Sequence, residues 1–422
     1  MARRSSGSTR LAIEGGTPVR GKPFPARLLF AQAEKRAVMR LFDKAIKEGN
    51  QVLGYNGPEE EGYCKEFAKL LGGGYADGVN SGTNALYVAL RALELEPFTE
   101  VIVPPISDPG GIMPVALCNC IPVPADAAPG SYNVGAEQIA ERITRRTRAI
   151  VVAHISGLPC DMGPIMRLAR SKGIPVIEDC AQTHGATYKG KPVGSLGDIS
   201  VFSTMFGKHH ASAGQGGLVF TRSEETYWRI RRCADRGKRF GLDPGDGNVV
   251  AALNCNMDEL HSCIGRVQLA KLPKIVRKRR AIAQQIAAGC RESLKTVRVV
   301  EELPGCEGVY WFLFVRLALD RIRVDKAAFV AALAHEGIPV SADYWACPTR
   351  MEWHRKHRVF GTSGMPWSRP GQKRVRPPEY ALPNIEATDA CNFRISIHEG
   401  YTRKDASNIV SALRKVEKAY RK

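Results

Sequence analysis

The sequence predicts an α/β protein in which a parallel sheet is covered by helices and followed by a second domain. Between residues 75 and 222, short runs rich in β-branched residues alternate with longer stretches of helical periodicity, a pattern typical of parallel strands joined by helices. A length of 422 residues favours two or three domains over one. A long amphipathic stretch over 258–294 predicts the helix that connects them.

Each predicted strand of the first domain is a short apolar run between segments of another pattern. These runs are 101–103, 149–153, 174–177, 199–202 and 218–220. Helices are predicted over 84–93, 137–145 and 162–172, and the first of them is apolar nearly all round, so we expect it to be buried. In the second domain the predicted elements are a strand over 309–317 and helices over 326–336 and 405–420.

Composition and charge exclude several classes of protein. A content of 44% hydrophobic and 24% charged residues is typical of a globular protein, and no apolar run approaches the ~20 residues that span a bilayer. The basic N-terminus lacks the apolar stretch of a secretory signal, so we expect a cytoplasmic protein. The net charge of +19 can attract nucleic acid, an anionic membrane or a phosphorylated small molecule. Because no nucleic-acid-binding motif accompanies this charge, we expect a solvated basic surface and neither a nucleic-acid nor a membrane partner.

The cysteines and histidines do not predict a metal site. The 12 cysteines are spread from Cys64 to Cys391 without a CxxC pair, so we expect reduced and mostly buried side chains. His209 and His210 are adjacent, so their side chains point in different directions, and the pattern offers them no obvious partner ligand. We therefore expect no bound metal.

Four short segments are placed where they can meet at the carboxyl ends of parallel strands, the position at which open α/β sheets bind ligands. The first, 80–84, begins a helix, and its unpaired backbone N–H groups suit a phosphate, although serine and threonine there are also ordinary helix caps. The second segment places Glu178 and Asp179 at the end of an apolar strand. Burying these two carboxylates requires a cationic partner, such as a metal, an arginine or a protonated heterocycle. No such partner is needed if this strand end faces solvent.

The third segment, 202–217, is a glycine-rich loop after a predicted strand, and it contains Lys208. A lysine whose pKa is lowered by burial or by nearby cations is a candidate nucleophile that forms a Schiff base with a carbonyl group. The fourth segment, 254–260, leads into the long helix, and its Asn254 is typical of a helix cap.

Taken in order, these segments resemble the DegT/DnrJ/EryC1/StrS aminotransferases, the sugar and aminocyclitol branch of the fold-type I pyridoxal-phosphate enzymes. The similar segments are spread over most of the chain, at 11–18, 57–58, 81–86, 177–186, 198–217, 257–260 and 278–280. The resemblance implies a large domain with a mostly parallel, doubly wound sheet and a smaller C-terminal α+β domain. The implied boundaries are an N-terminal arm over 1–30, the large domain over 31–290 and the small domain over 291–422.

By this resemblance, three side chains contact the ring of the cofactor, pyridoxal 5′-phosphate. Lys208 looks like the lysine that forms the internal aldimine. Asp179 would pair with the pyridinium nitrogen and keep the ring protonated, so that it accepts electrons. Gln182 would form a hydrogen bond with the ring hydroxyl.

The resemblance also implies how the phosphate is held. Gly82 and Thr83 would bind it through their backbone amides, and Ser203 would add its hydroxyl. Asn254 is similar to a residue that reaches the phosphate from a partner subunit. This implies a homodimer with shared active sites.

The implied activity is transfer of an amino group from an amino acid, Glu or Gln, to a keto sugar, a nucleotide-linked keto sugar or a cyclitol ketone.

The chain departs from the family pattern after the predicted strand 101–103. The family carries an aromatic residue there that stacks on the cofactor ring, whereas this chain has Asp108, and a carboxylate cannot stack. His398 and Glu399 are placed near the acceptor pocket without an assigned role.

Two other functions stay open. In the dehydratase branch of the family a histidine replaces the lysine, but this chain keeps Lys208, and His209 would have to shift by one residue to take its place. The second alternative is an inactive relative that binds an anion or nucleic acid. The basic segment 350–376 is predicted to be a long exposed loop, in which Arg374 and Arg376 grip a diphosphate or are simply solvated.

Overall fold

The structure is a computed structural model, and it describes residues 10–344, 347–371 and 379–422. The strands in these residues are β1 (Tyr75–Val79), β2 (Glu100–Val103), β3 (Ile121–Pro124), β4 (Thr147–Ala153), β5 (Val176–Asp179), β6 (Thr187–Tyr188), β7 (Lys191–Pro192), β8 (Ile199–Ser203), β9 (Gly217–Thr221), β10 (Val297–Val299), β11 (Cys306–Glu307), β12 (Leu313–Leu317), β13 (Val340–Ser341) and β14 (Asn392–Ile395). The helices are α1 (Gln32–Glu48), α2 (Pro58–Leu70), α3 (Gly82–Ala92), α4 (Met113–Leu117), α5 (Ala136–Ala140), α6 (Met162–Lys172), α7 (Glu224–Ala234), α8 (Glu259–Ser293), α9 (Lys326–His335), α10 (Glu352–Arg355), α11 (Pro383–Cys391) and α12 (Arg403–Tyr420). Within the described ranges we find no helix whose length and apolar character would let it cross a lipid bilayer.

A central seven-stranded sheet has the strand order β1-β9-β8-β5-β4-β2-β3. Strands β3, β2, β4, β5 and β8 pair in parallel, whereas β9 runs antiparallel to both of its neighbours, β8 and β1. The predicted mostly parallel sheet is thus confirmed. Residues 204–216, between β8 and β9, form a loop instead of the helical crossover that joins parallel neighbours, so these two strands are antiparallel.

The central sheet is buried on both faces because its strands are apolar at successive positions. In β4, Ile150 and Val152 belong to one core and Ala149 and Val151 to the other, as the two-residue period of a strand requires. Helices α2, α6 and the first half of α8 cover the first face, and α3, α4 and α7 cover the second. Helix α3 is buried, as its apolar sequence predicted.

A separate core surrounds a four-stranded sheet of order β10-β12-β14-β13, in which the paired strands are antiparallel. Helices α9, α12 and the second half of α8 pack on this sheet. Helix α8 has 35 residues and contributes Leu272 to the core of the large sheet and Ile286 to this core. The predicted connecting helix over 258–294 therefore forms with ends shifted by only one residue, and it belongs to both domains.

The N-terminal segment packs on the smaller domain. Leu11 is buried in that domain's core. The backbone N–H groups of Ala12 and Val19 each donate a hydrogen bond of 2.9 Å to the carboxylate of Glu336, and Lys415 pairs with the same carboxylate at 2.8 Å. Because Glu336 is fully buried, these partners satisfy a charge that would otherwise be costly to bury.

The prediction of an exposed loop over 350–376 is wrong for the part of that segment that the structure describes. Residues 350–371 include α10 and lie against the edge strand β3, where Trp367 packs with Ile121 and Val123. The ring of His357 stacks on Trp367, with 4.0 Å between the ring centroids. The prediction weighed only the basic charges, whereas the aromatic rings supply enough apolar surface to cover a sheet edge.

Candidate active site

A cavity of about 250 Å³ lies at the carboxyl edge of the central sheet. It is lined by residues from the start of α3, the loop after β2, the end of β5, the end of β8 and the loop between β8 and β9. They include Gly82, Thr83, Asp108, Asp179, Ser203 and Lys208. Three of the four segments predicted to converge therefore meet in one place.

The start of α3 offers unpaired backbone N–H groups to this cavity. The Ser81 hydroxyl caps the helix by accepting the N–H of Asn84 at 3.1 Å. A Cβ atom at Gly82 would lie 2.5 Å from Cβ of Ser203, so only glycine lets the first turn pack against the end of β8. This turn, with Thr83 and the Ser203 hydroxyl, has the donors that bind a phosphate.

Asp179 ends β5 and is partly accessible from the cavity. One of its carboxylate oxygens, Oδ1, accepts the backbone N–H of Ala181 at 3.0 Å. Burial raises the pKa of this carboxyl group, and the hydrogen bond from Ala181 and the positive charge of Lys208 act against that rise. The ionised form of Asp179 would therefore be stabilised by a further cationic partner.

Lys208 lies in the loop between β8 and β9 with only 5% of its surface exposed. Its Nζ is 4.1 Å from the ring centroid of Trp311, and the indole N–H of that residue donates to the carbonyl of Gly207 at 3.1 Å. Burial lowers the pKa of the Lys208 amine, while the carboxylates of Asp179 and Asp108 act in the opposite direction. A larger neutral fraction makes the amine a better nucleophile and base.

The neighbouring carboxylate, Glu178, is fully buried and bonds within the fold instead. It accepts backbone N–H groups of the loop before β8, among them that of Gly194 at 3.0 Å, and its Oε2 lies 3.1 Å from Nε2 of His154. Although burial raises the pKa of Glu178, these hydrogen bonds bring it below the usual range. His154, Glu178 and Cys180 have their ligand atoms close enough to share a metal ion, but those of His154 and Glu178 already bond to the protein.

A chain of charged groups anchors the lysine loop from behind. Arg27 Nη2 donates to the backbone carbonyl of Lys208 at 2.7 Å, and Arg27 Nε pairs with Glu399 at 2.8 Å. Glu399 also pairs with Arg279 at 2.8 Å. Arg279 is 2% exposed, and burial lowers its pKa to about 10. Arg279 lies in segment 278–280, which resembles the family, but no local pattern in the sequence points to Arg27. Glu399, which was placed near the acceptor pocket, instead links these two arginines.

Two predicted cofactor ligands have other partners. Gln182 accepts the N–H of Ser156 at 2.7 Å and donates to the Tyr344 hydroxyl oxygen at 3.0 Å. Asn254 is exposed, and its side-chain oxygen accepts an N–H of the Asn256 side chain at 2.7 Å. Neither residue is among those that line the cavity, so their roles toward the cofactor stay predictions.

Comparison with known proteins places this chain among aminotransferases. The model of the DegT/DnrJ/EryC1/StrS aminotransferase family matches residues 35–364. GDP-perosamine synthase of Caulobacter vibrioides is 30% identical over 365 residues, which cover 83% of this chain and 88% of that protein. L-glutamine:2-deoxy-scyllo-inosose aminotransferase of Streptomyces fradiae is 29% identical over 427 residues, or 96% of this chain and 97% of that protein. The solved structure of an aminotransferase from Psychrobacter cryohalolentis superposes with a TM-score of 0.80 at 30% identity, covering 93% of this chain and 98% of that one.

The anchoring role of Glu399 can be tested by Glu399→Gln. We expect a loss of on the order of 3 kcal/mol in stability, because the substitution leaves Arg279 as a buried charge without its partner. Glu352→Gln, which breaks an exposed pair with Lys356, is the control and should leave the Tm unchanged because solvent screens that pair. Thermal denaturation followed by circular dichroism compares the two variants, and equal Tm values would contradict the anchoring role.

Proposed function

The chain belongs to the DegT/DnrJ/EryC1/StrS aminotransferase family, and we propose that it transfers an amino group from Glu or Gln to the ketone of a keto sugar, a nucleotide-linked keto sugar or a cyclitol. The enzyme is an aminotransferase that depends on pyridoxal phosphate. The names of its two relatives, a GDP-perosamine synthase and an L-glutamine:2-deoxy-scyllo-inosose aminotransferase, support this donor and acceptor. The observation that carries the proposal is the buried amine of Lys208 in one cavity with the Asp179 carboxylate and the amides of α3.

The cavity fits the cofactor in charge and in its hydrogen-bond donors. The first turn of α3 and the Ser203 hydroxyl are suited to the phosphate, and the close approach that Gly82 permits keeps them together. Asp179 is suited to the protonated ring nitrogen, which meets the need of this carboxylate for a cationic partner. When bound, pyridoxal phosphate supplies an electron-accepting ring that stabilises the negative charge left when the donor carbon loses its proton.

The side chains of this protein then have separable tasks. Lys208 accepts and returns a proton at Nζ, which its lowered pKa favours. Asp179 holds the proton on the ring nitrogen by charge attraction. The Trp311 ring beside Lys208 Nζ excludes water from the amine.

The structure favours transamination over the two alternatives. The dehydratase alternative requires a histidine in place of the lysine, but His209 is fully buried and its Nε2 lies 3.2 Å from the carbonyl oxygen of Val309. It does not line the cavity, which Lys208 does. An inactive anion-binding relative would not need an amine, a carboxylate and a phosphate cradle in one cavity.

A homodimer with shared active sites is part of the proposal. Asn254 is exposed and away from the cavity of its own chain, which fits a role in the site of a second copy. Helix α1 supports the same assembly, because Met39, Phe42 and Ile46 expose an apolar stripe that is 41–83% accessible. The opposite face of α1, with Leu41, is buried.

The acceptor can be identified by a panel of keto sugars, nucleotide-linked keto sugars and inososes, each incubated with Glu and with Gln. Arg374 and Arg376, expected to hold a diphosphate, lie outside the described residues, and that contact stays a prediction. Mass spectrometry of the aminated product measures turnover. Failure of every ketone with both donors would contradict the proposed acceptor class.

Lys208→Ala should reduce transamination by at least about 10³-fold, because the variant lacks the group that moves the proton. The fold should persist, since the truncated side chain lies at a cavity. Product formation and circular dichroism measure the two effects. Turnover within tenfold of the unaltered enzyme would refute the assignment.

The variants Asp179→Asn and Glu178→Gln distinguish the roles of two consecutive carboxylates. We expect Asp179→Asn to weaken cofactor binding at least tenfold, while the cofactor-free protein keeps its stability because a buried carboxylate of raised pKa costs free energy when ionised. Glu178→Gln should do the reverse and lower the Tm, since it disrupts a carboxylate that accepts several backbone amides. Equilibrium dialysis and thermal denaturation check both; the same pattern in both variants would contradict the division of roles.

Mixed dimers test the shared site. Lys208→Ala and Asn254→Ala proteins should each be impaired, but a refolded mixture should regain roughly a quarter of the wild-type rate, because half of the dimers then carry one intact site. Size-exclusion chromatography with light scattering gives the oligomeric state in parallel. A mixture no more active than the mean of its two parents would count against a shared site.

A further inference from the structure

A second carboxylate, that of Asp108, lines the cavity together with Asp179 and Lys208. The residue follows β2 and is exposed toward the cavity opening. Among the described residues that line this cavity, none has an aromatic side chain. The position that should stack on a ring therefore contributes a negative charge instead.

The loop that carries Asp108 is pinned from two sides. A Cβ atom at Gly110 would lie 2.2 Å from Thr83 Oγ1, and one at Gly111 would lie 2.9 Å from Asp179 Oδ2. The loop backbone thus packs directly on the start of α3 and on Asp179. Asp108 Oδ1 accepts the N–H of Gly110 at 2.9 Å, and its Oδ2 accepts no hydrogen bond from the described part of the chain. One oxygen fixes the side chain, and the other is available to a ligand.

The charge of Asp108 acts on the reacting groups around it. It counteracts the fall in the pKa of Lys208 and adds to the rise in the pKa of Asp179. It also adds to the burial that raises the pKa of Tyr344 to about 12. Asp179 lines the same cavity, and the Trp311 ring lies 4.1 Å from the Lys208 amine. The buried ring of His184, whose pKa burial and the charge of Lys208 lower, does not line the cavity. Asp108 is thus the second of two anions that face one amine.

We propose that Asp108 is a positioning residue that holds the positive charge of the reacting nitrogen, first on Lys208 and then on the ammonium group of the amino donor. This inference rests on the proposed aminotransferase activity, since it concerns the donor's amine. It deepens that proposal by naming a residue that recognises the donor. A carboxylate with a free oxygen accepts a hydrogen bond from an ammonium group, and such charge-assisted bonds are stronger and more directional than neutral ones.

Asp108→Asn is the central variant, because an asparagine oxygen can still accept the N–H of Gly110 while the charge is lost. Asp108→Ser is a second neutral variant with a hydroxyl that also caps the turn. Asp108→Glu keeps the negative charge at this position. Asp320→Asn removes an exposed carboxylate from the smaller domain and is the matched control. Tm values establish that each variant is folded.

The first measurement needs neither turnover nor bound cofactor. The full-length protein is first treated with hydroxylamine, which captures the aldehyde of the cofactor as an oxime and frees the Lys208 amine, and is then dialysed. It is labelled with acetic anhydride over a range of pH, and mass spectrometry follows the peptide that contains Lys208. Loss of a nearby anion should lower the pKa of Lys208 by about one unit, which corresponds to roughly tenfold faster labelling below that pKa. Asp108→Asn and Asp108→Ser should show this shift, and Asp108→Glu and Asp320→Asn should not. A titration of Asp108→Asn that superposes on the wild type would overturn the proposal.

The second measurement uses the cofactor-loaded enzyme. We expect Asp108→Asn to raise KM for the amino donor about tenfold and to change kcat less, because the lost contact is made with the bound donor. An unchanged KM would overturn the role toward the donor. The two proposals fail separately: if no ketone is aminated, the proposed function is wrong although the Lys208 titration can still shift. If the wild type transaminates and the neutral variants titrate normally, only the role of Asp108 is wrong.

Discussion

The attraction between a buried amine and a buried carboxylate is the interaction on which the candidate site depends. Burial disfavours the charged forms of both Lys208 and Asp179, and each of these groups opposes the pKa shift of the other. Removal of either would take from the other a charge partner that opposes its pKa shift. A cofactor with an anionic phosphate, a basic ring nitrogen and an aldehyde suits this arrangement, because it offers a partner to the helix start, to the carboxylate and to the amine.

The two groups reach the cavity by different features of the sheet. Asp179 ends a parallel strand, and its register with Ala153 puts it level with the carboxyl end of β4, while its other partner, Val201, lies two residues before the end of β8. Lys208 instead lies in the loop that exists because β9 reverses direction. The first part of this loop extends the pairing of β8 with β9, because Thr204 donates to Gly216 and Phe206 donates to Gly214 through their backbones. Side chains from distant parts of the chain fix the part beyond, among them Arg27 through the Lys208 carbonyl. A rigid strand end and an anchored loop together set the geometry of the amine and the carboxylate.

Local patterns predicted five of the seven strands of the central sheet, the buried helix α3, the connecting helix α8 and the three segments that line the cavity, because each depends on neighbours in sequence. Arg27 and Glu399 are 372 positions apart in the sequence, and Glu399 and Arg279 are 120 positions apart. No periodicity in the sequence reveals such pairs. The segment 350–371 misled the prediction because its charges are conspicuous, whereas its packing depends on aromatic rings that meet an edge strand. Strands β1 and β3 were missed. Strand β1 contains an aspartate and a glycine, which are depleted in strands, and β3 contains two prolines, which are tolerated here at the sheet edge.

The N-terminal segment has a practical consequence for anyone who shortens this protein. In the sequence it precedes the first helix and looks like a leader that can be trimmed. In the fold, Leu11 is buried in the core of the smaller domain, and Arg27 donates a hydrogen bond to the backbone of the loop that carries Lys208. The segment therefore connects the smaller domain to that loop. A truncation that starts at residue 31 would remove both attachments at once, and a protein made that way would misrepresent the intact enzyme.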